Sequence, residues 1–331
     1  MISMEKRLTV ALLSGGTSPE REVSLASGSQ VYDALDKNRY FVRRYDPKTD
    51  IARLVADAPQ IDVALVILHG VGGEDGSIQG LLDLLHIPYQ CAGLLGSSVA
   101  MNKLAAKQLY IQNQVPTPAF FPVRRKDVFD TDAGIHRLGL PLVVKPASGG
   151  SSIGMSIVRT TDEMPRALAA AFAVDGTALL EEYIKGIEIT VAVLGNEHPE
   201  ALPVVEIVPN DTHGFFDFAA KYTAGETLEI CPARISEDLA RIARDLAIKA
   251  HVALFCKGYS RTDMMVRGQD IFVLETNTIP GMTSQSLLPL AARAAGMDFA
   301  GLIDRLIALA LEKPKILREK TDEVFKKRKT P

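Results

Sequence analysis

Cysteine is scarce: Cys91, Cys231 and Cys256 are the only three in 331 residues. They are widely spaced, no CxxC occurs, and three thiols cannot all pair, so a disulfide framework is excluded. They read as buried thiols of a reducing compartment. A surplus of charge is lacking too. The formal net charge is -3, which gives no support for nucleic acid or an acidic membrane surface as a partner. No apolar run at the start, MISMEKRLTVALLSGG, is long enough to span a bilayer, and no small-residue cleavage site follows it. The expectation is a cytoplasmic protein with no membrane partner. A Walker loop, a convincing dinucleotide fingerprint and a Ser-His-Asp elbow are all missing. The one charge run, KKRK at 326–329 in a basic tail (312–331), reads as a solvated helix end.

What is present suits a globular enzyme. Apolar residues make up 47% of the chain and charged ones 23%, enough for several cores and, at this length, two or three domains. LTVALLSGG (8–16) reads as a buried strand entering a glycine turn. PEREVSLASGSQVYDALD (19–36) has helical spacing at Val23, Ala26, Gln30 and Ala34. IDVALVILHG (61–70) is a second strand ending at glycine, and GSIQGLLDLLHIPY (76–89) a helix stopped by Pro88. Strand, helix, strand, helix predicts an α/β fold: a doubly wound parallel sheet with ligand-facing loops at the strand C-termini. Over 96–120 the pattern predicts one capped helix ended by Pro116 and Pro118. Strands follow on either side of a glycine-rich loop (140–158) and at 178–195, with a helix from Asp162 to Ala173 between them. Further strands are expected at 200–208, 258–266 and 271–276, with a helix at 236–254, a polar-aromatic loop at 213–227 and a closing helix pair.

The loop ASGGSSIG (147–154) holds three glycines and three serines. Backbone N–H groups freed in such a loop can converge on phosphate oxygens, and small side chains let the phosphate approach. A plain flexible hairpin has the same composition. Lys145, at the mouth of the apolar run PLVVK, favours the phosphate reading. Lys103, in MNKLAAKQL, carries less weight because surface helices hold lysines routinely. In LLEEYIKGIEITV, alternation puts Glu181 and Tyr183 on one face and Glu182 on the other. An acid here, or Glu188 beyond, can accept hydrogen bonds from an adenine amine or ribose hydroxyls. A solvated edge accounts for at least one of these acids.

GYSRTDMMV (258–266) and IFVLETN (271–277) form a hairpin around RGQD. With a three-residue loop, Gly268–Asp270, Asp263 faces Glu275 and Arg261 faces Asn277. With a two-residue loop the acids fall on opposite faces. A carboxylate within an apolar strand needs a partner, and two side by side repel unless a cation lies between them. Asp263, Glu275 and Asn277 then offer three hard oxygen ligands, suited to Mg²⁺ that keeps waters and phosphate oxygens. Arg261 beside them suits a developing anion. A surface hairpin with scattered charges is the bland alternative. Phosphate loop, metal platform and arginine together fit ATP-driven activation of a carboxylate.

Six separated motifs in register resemble the D-alanine–D-alanine ligase family of the ATP-grasp superfamily: GGTSPEREVSL, HGVGGEDGSIQGLL, KPASGGSSIGMS, AAKYTAGET, GYSRTDMMV and LETNTIPGMTSQSLLP. They span nearly the whole chain. The resemblance implies an N-terminal Rossmann-like substrate domain (1–98) and a central ATP-grasp subdomain with a glycine-rich lid (99–184). A C-terminal ATP-grasp subdomain (185–331) would carry the metal and second-substrate sites, and the ATP-grasp part would be α+β. It further implies ligation of two D-alanine molecules through a D-alanyl phosphate, for peptidoglycan precursors, in a cytoplasmic homodimer. ATP would be the co-substrate, with two Mg²⁺ or Mn²⁺ ions.

Residue by residue, Glu20 would hold the ammonium of the first D-alanine, with His69 near it. Lys103, Lys145 and Lys221 would bind phosphates, Lys221 the γ-phosphate. Ser151, Ser152, Glu181, Glu182, Glu188 and Glu275 would contact the nucleotide, and Ser151 would bond Tyr222 across the lid. Arg261 and the backbone at Gly281 would steady the oxyanion. Asp263, Glu275 and Asn277 would bind metal, and Ser286 and Leu287 would receive the second carboxylate. Ser148 and Gly149 stand where many relatives have bulkier or charged residues. Ligases that make D-alanyl-D-lactate or D-alanyl-D-serine share the fold, and AAKYTAGET argues against the lactate case. A nucleotide-binding regulator without turnover is the alternative of a different class.

Overall fold

The computed structural model describes residues 7–127, 129–209 and 227–312. Lys221, Tyr222, nearly all of the expected 213–227 loop and the basic tail from 313 lie outside them.

The first sheet is parallel, with Leu8–Ser14 between Tyr40–Tyr45 and Val63–Ile67. Val10, Ala11, Leu12 and Leu13 are all 0% exposed. A parallel strand covered on both faces has no polar side, which is why this run is continuous rather than alternating. Its core takes in Leu302, Ile303, Leu306 and Ile307 of the late helix Phe299–Leu311. Asp304 of that helix accepts a hydrogen bond from the Tyr40 hydroxyl at 2.8 Å and pairs with Arg39. The strand Tyr40–Tyr45 is not evident in the sequence pattern. Its middle is FVRR, and only its two tyrosines are buried.

A four-stranded antiparallel sheet follows, in the order Phe120–Arg124, Thr177–Glu182, Leu142–Pro146, Ser156–Val158. The helix Met164–Val174 covers it through Met164, Ala167 and Ala171. The largest sheet has six antiparallel strands, with Ile187–Leu194 and Tyr259–Arg267 at its centre and Asp270–Asn277 at one edge. The helix Glu237–Ala253 packs on it with small residues, Ala240, Ala243, Ala247 and Ala250, which allow close approach. Ser236 caps that helix by accepting from the Leu239 N–H.

Two expectations need correction. The segment 96–120 is not one helix but two, Gly93–Met101 and Lys103–Gln112, broken at Asn102. Asn102 adopts an extended conformation and its side chain accepts from Ala105 N at 2.9 Å, capping the second helix. The break ties that helix to the glycine-rich loop, because Lys103 N donates to Ala147 O at 2.7 Å. The strand at 200–208 is also divided, into Glu200–Ala201 and Val205–Pro209. Pro203, lacking an N–H, lies in the gap.

Candidate active site

The hairpin that carries the acids has a two-residue loop, Gly268 and Gln269, with Arg267 opposite Asp270. The three-residue loop read from the sequence is therefore wrong. Gly268, at φ +63°, fills the first central position, where glycine is favoured. The acids nonetheless face each other, because the register shifts between Asp263 and Met264. Met264 opposes Val273 while Asp263 opposes Glu275, so Leu274 is the extra residue of a β-bulge. The bulge restores the alignment that the short turn would have lost, and Arg261 opposes Asn277 as expected.

Asp263 is nearly buried and fully engaged. Arg261 donates to both of its oxygens, at 2.9 and 2.8 Å. Thr190 donates at 2.6 Å and Asn277 at 3.0 Å. Glu275 lies 3.4 Å from the Lys103 ammonium, which also donates to Gly149 O at 2.6 Å. Lys103 thus joins the metal-platform hairpin to the glycine-rich loop. In that loop Ser151 and Ser152 hold left-handed backbone, φ +54° and +57°. Such conformations cost energy in non-glycine residues and gather at functional loops; successive N–H groups there make an anion-binding nest.

Between the second and third sheets lies a cleft of ≈ 640 Å³, the size of a cofactor site. Lys103, Lys145, Ser151, Ser152, Glu181, Glu182, Glu188, Asp263 and Glu275 all line it. The carboxylate of Glu182 accepts from Arg267 at 2.6 Å. Val143, Ile157, Ile207, Met265 and Leu274, from five strands, and Ile184, from the linker between Thr177–Glu182 and Ile187–Leu194, supply apolar walls that no sequence motif marks, because they lie far apart in the chain and read as core. They make a slot for a flat ring. Gly186 lies on the rim, and a Cβ there would meet the Val266 carbonyl oxygen at 1.9 Å. Gly186→Ala should cost about 2 kcal/mol or more, read as a lower urea midpoint at unchanged slope. A wild-type midpoint would show that these two strands part easily.

At the back of the cleft Glu181 is buried between two cations. Lys145 lies 2.9 Å from Oε2 and Lys107 3.2 Å from Oε1. Burial pushes the Glu181 carboxyl up, but Lys107 and Lys145 outweigh it and hold it below its ordinary value. Burial lowers the Lys107 ammonium to about 8 against the pull of Glu181. Lys107 is a residue the sequence reading passes over.

A second cluster joins this region to the first sheet. Glu20, just before the helix Arg21–Ala34, accepts a hydrogen bond from Ser151 Oγ, 131 residues away. His69 follows the strand Val63–Ile67 and is buried, with no hydrogen-bond partner for Nε2 among the described residues. Burial holds its imidazole below the usual value, against the Glu20 carboxylate. Glu74, in the turn GGEDG, was given no role from sequence. Its two oxygens accept from Gly70 N at 2.8 Å and Ile279 N at 3.3 Å, so it ties the loop after His69 to the loop before Gly281. Burial, then the nearby Glu20 charge, raise its carboxyl to about 7. The Arg261 charge reaches both His69 and Glu74, so hairpin and N-terminal loops share one electrostatic environment.

Ser286 precedes the helix Leu287–Ala294 as its N-cap, with Leu287 the first helical residue. Its hydroxyl lies 2.8 Å from that of Thr283 and accepts from Thr283 N at 3.1 Å. Gly281 sits against it, since a Cβ at Gly281 would come within 2.9 Å of Ser286 Oγ. A helix N-terminus with a hydroxyl beside it can receive a carboxylate.

The sequence matches known families in two stretches. Residues 44–92 match the D-ala D-ala ligase N-terminus and residues 109–308 the D-ala D-ala ligase C-terminus. The D-alanine–D-alanine ligase of Syntrophobacter fumaroxidans is 59% identical over 307 residues, covering 93% of this chain and 99% of that protein. The D-alanine–D-alanine ligase of Bacillus anthracis, solved in complex with ATP, superposes with a TM-score of 0.81 at 33% identity, over 96% of this chain and 99% of that one. The VanG D-Ala:D-Ser ligase of Enterococcus faecalis gives 0.78 at 29% identity, over 92% of this chain and 100% of that one. The chain belongs to the D-alanine–D-alanine ligase family.

Proposed function

We propose that this protein is an ATP-dependent ligase that joins two D-alanine molecules into D-alanyl-D-alanine for peptidoglycan precursors. The single observation that carries the reading is the convergence just described. A nucleotide-sized cleft ends at Lys103, Glu275 and Asp263, and its glycine-rich loop reaches Glu20 through Ser151. Phosphate transfer and an amino-acid site therefore meet at one place.

The chemistry runs in two steps. The carboxylate of the first D-alanine attacks the γ-phosphate of ATP, giving an acyl phosphate and ADP. The neutral amine of the second attacks that carbonyl, and phosphate leaves. Phosphoryl transfer needs positioning and charge neutralisation above all. Lys103 and Lys145 supply charge along the triphosphate, and Glu20 holds the first ammonium. Arg261, swinging from Asp263, and the backbone at Gly281 stabilise the tetrahedral oxyanion. The N-terminus of Leu287–Ala294, with Ser286, orients the second carboxylate. The glycine-rich loop shields the acyl phosphate from water; Lys221, for the γ-phosphate, and Tyr222, as the hydrogen-bond partner of Ser151, lie outside the described residues.

Asp263, Glu275 and Asn277 fit Mg²⁺ or Mn²⁺: two carboxylates and an amide, all hard oxygen donors, meet at one end of a strand pair with cations already against both acids. Among the described residues no three His, Cys, Asp or Glu side chains cluster as a metal site, which suits ions that draw further oxygens from phosphate and water. When bound, two such ions would neutralise the triphosphate.

The three-part division, with breaks near 98 and 184, sets the first-substrate region apart from the two parts that enclose the nucleotide cleft between them. Leu84, Leu94 and Leu95, exposed on the neighbouring helices Ser77–Leu84 and Gly93–Met101, support a homodimer, for which light scattering is the direct measurement. Among the described residues no helix is long and apolar enough to cross a membrane, and the three cysteines are free. We place the reaction in the cytoplasm.

ADP release measured with ATP, Mg²⁺ and D-alanine is the test. Release should depend on D-alanine, and D-alanyl-D-alanine should dominate when D-lactate or D-serine competes at neutral pH. ADP release indifferent to D-alanine would sink the ligase reading. D-alanyl-D-serine or D-alanyl-D-lactate as main product would leave the ATP chemistry and remove the second-substrate assignment.

A further inference from the structure

Lys107 lies four residues after Lys103 on the same helix, hence on the same face, yet it lines no part of the cleft. It is 0% exposed. Its ammonium donates to Thr117 Oγ1 at 2.6 Å, and Thr117 in turn donates to Val273 O at 2.8 Å. Thr117 takes one of the three N–H groups, and the Glu181 carboxylate lies 3.2 Å from the same ammonium. Among the described residues no aligned donor meets the buried Glu181 Oε1, so Lys107 acts on it as a charge at 3.2 Å, while Oε2 faces Lys145 at 2.9 Å. Glu181 and Lys145 line the cleft; Lys107 stands behind them.

We propose that Lys107 is a positioning residue for nucleotide binding: it balances the Glu181 charge from behind the wall. Lys145 is then able to turn its ammonium to a phosphate, and Glu181 to accept a hydrogen bond from an exocyclic amine of the base. This rests on the reading of the cleft as the ATP site. The physical case is one of charge counting. With Lys107 present, drawing Lys145 toward a phosphate still leaves Glu181 paired. Without it, the same movement strands a buried carboxylate, which is strongly unfavourable. Either Lys145 stays with Glu181, and the phosphate loses a cation, or Glu181 takes up a proton. A protonated Glu181 becomes a donor, and would then tolerate the 6-oxo group of guanine where the carboxylate prefers the 6-amino group of adenine.

The experiment measures Kd for ADP and GDP with Mg²⁺, and KM for D-alanine, in wild type, Lys107→Met and the double variant Lys107→Met/Glu181→Gln. Lys107→Met should weaken ADP at least about ten-fold, the scale set by a disturbed charge partner. It should narrow the preference for ADP over GDP and leave KM for D-alanine within about two-fold. Adding Glu181→Gln removes the stranded charge, so ADP binding should recover several-fold. A lysine that merely supports the fold would lower the melting temperature, weaken ADP and D-alanine alike and show no recovery in the double variant; that result overturns the proposal. So does Lys107→Met that binds ADP as wild type does. Should Lys107→Met fail to fold, the double variant decides: soluble protein that binds ADP supports the proposal, and equal failure overturns it. Wild-type protein that binds neither nucleotide would overturn the reading of the cleft and this inference with it, whereas wild-type binding with an unaffected variant overturns the inference alone.

Discussion

Asp263→Asn should lower turnover by about 10²–10³-fold or more, the effect of removing one charge-stabilising group from such a site, with the fold intact. The side chains have nearly the same volume, so packing should hold. What changes is the charge that four partners meet. Arg261 grips both oxygens, Thr190 and Asn277 each donate to one, and the Glu275 backbone lies directly across the strand pair. An amide offers one acceptor oxygen where the carboxylate offers two, and its NH₂ faces donors that it cannot satisfy. Arg261 loses its counter-charge and its alignment, and the oxygen set for Mg²⁺ loses its most buried anion. Turnover at saturating ATP should fall, excess Mg²⁺ should restore only part of it, and the melting temperature should stay within a few degrees of wild type. Near-normal turnover at ordinary Mg²⁺ would show that Asp263 is structural only.

Acidification should remove the stability that His251 contributes between about pH 6.5 and 4, while Glu74, whose carboxyl is raised to about 7, pulls the other way as pH falls. This imidazole is 0% exposed on the inner face of the helix Glu237–Ala253. Nδ1 lies 2.7 Å from the Ser260 hydroxyl, and among the described residues Nε2 has no hydrogen-bond partner. Burial pushes its pKa down to about 4, whereas the unfolded chain keeps the ordinary value of about 6.5. The folded state therefore binds fewer protons at His251 in this window. The His251 contribution is fully present above pH 6.5 and falls by up to about 1.4 kcal/mol per unit as pH drops, about 3 kcal/mol in all by pH 4, read as the difference between wild type and a variant without the imidazole. Asp46, held at about 2 by its hydrogen bonds from Arg21, has an ordinary value of 3.8 and so acts mainly below this range. Urea unfolding of wild type and His251→Gln across pH 7 to 4 separates the two. The difference in slope between them should be largest near pH 5. Parallel curves would mean that His251 is not neutral and buried in solution.

Much of the site was legible because its chemistry sits in single loops. The glycine-rich loop, the acids of the last hairpin and Lys145 each announce themselves by a polar group where an apolar pattern ends. The Asp263–Glu275 pairing was reached with the wrong turn; the bulge at Leu274 that rescues it leaves no mark in the sequence, since leucine suits any strand. Asn102 breaks a helix that alanine-rich periodicity carries straight through. Lys107 has the pattern of an ordinary helix-surface lysine, and only the packing of Thr117 and Glu181 reveals it as buried. Glu74 looks like a turn residue until Ile279 is placed beside it from 205 positions away. What a sequence hides most thoroughly is a contact made by chain return.

The packing of Phe299–Leu311 into the first core has a consequence for how the molecule is made. Ribosomal synthesis delivers the N-terminal sheet first, and domains generally fold as they emerge. Here Arg21–Ala34 packs on the first sheet early, but the core is not complete until the helix with Leu302, Leu306 and Asp304 has left the exit tunnel. Val63 to Ile67 and their neighbours must wait through the translation of more than two hundred residues for the helix that completes their core. The nascent chain therefore carries an open apolar face for most of its elongation, and a fragment ending before Phe299 would keep that face for good.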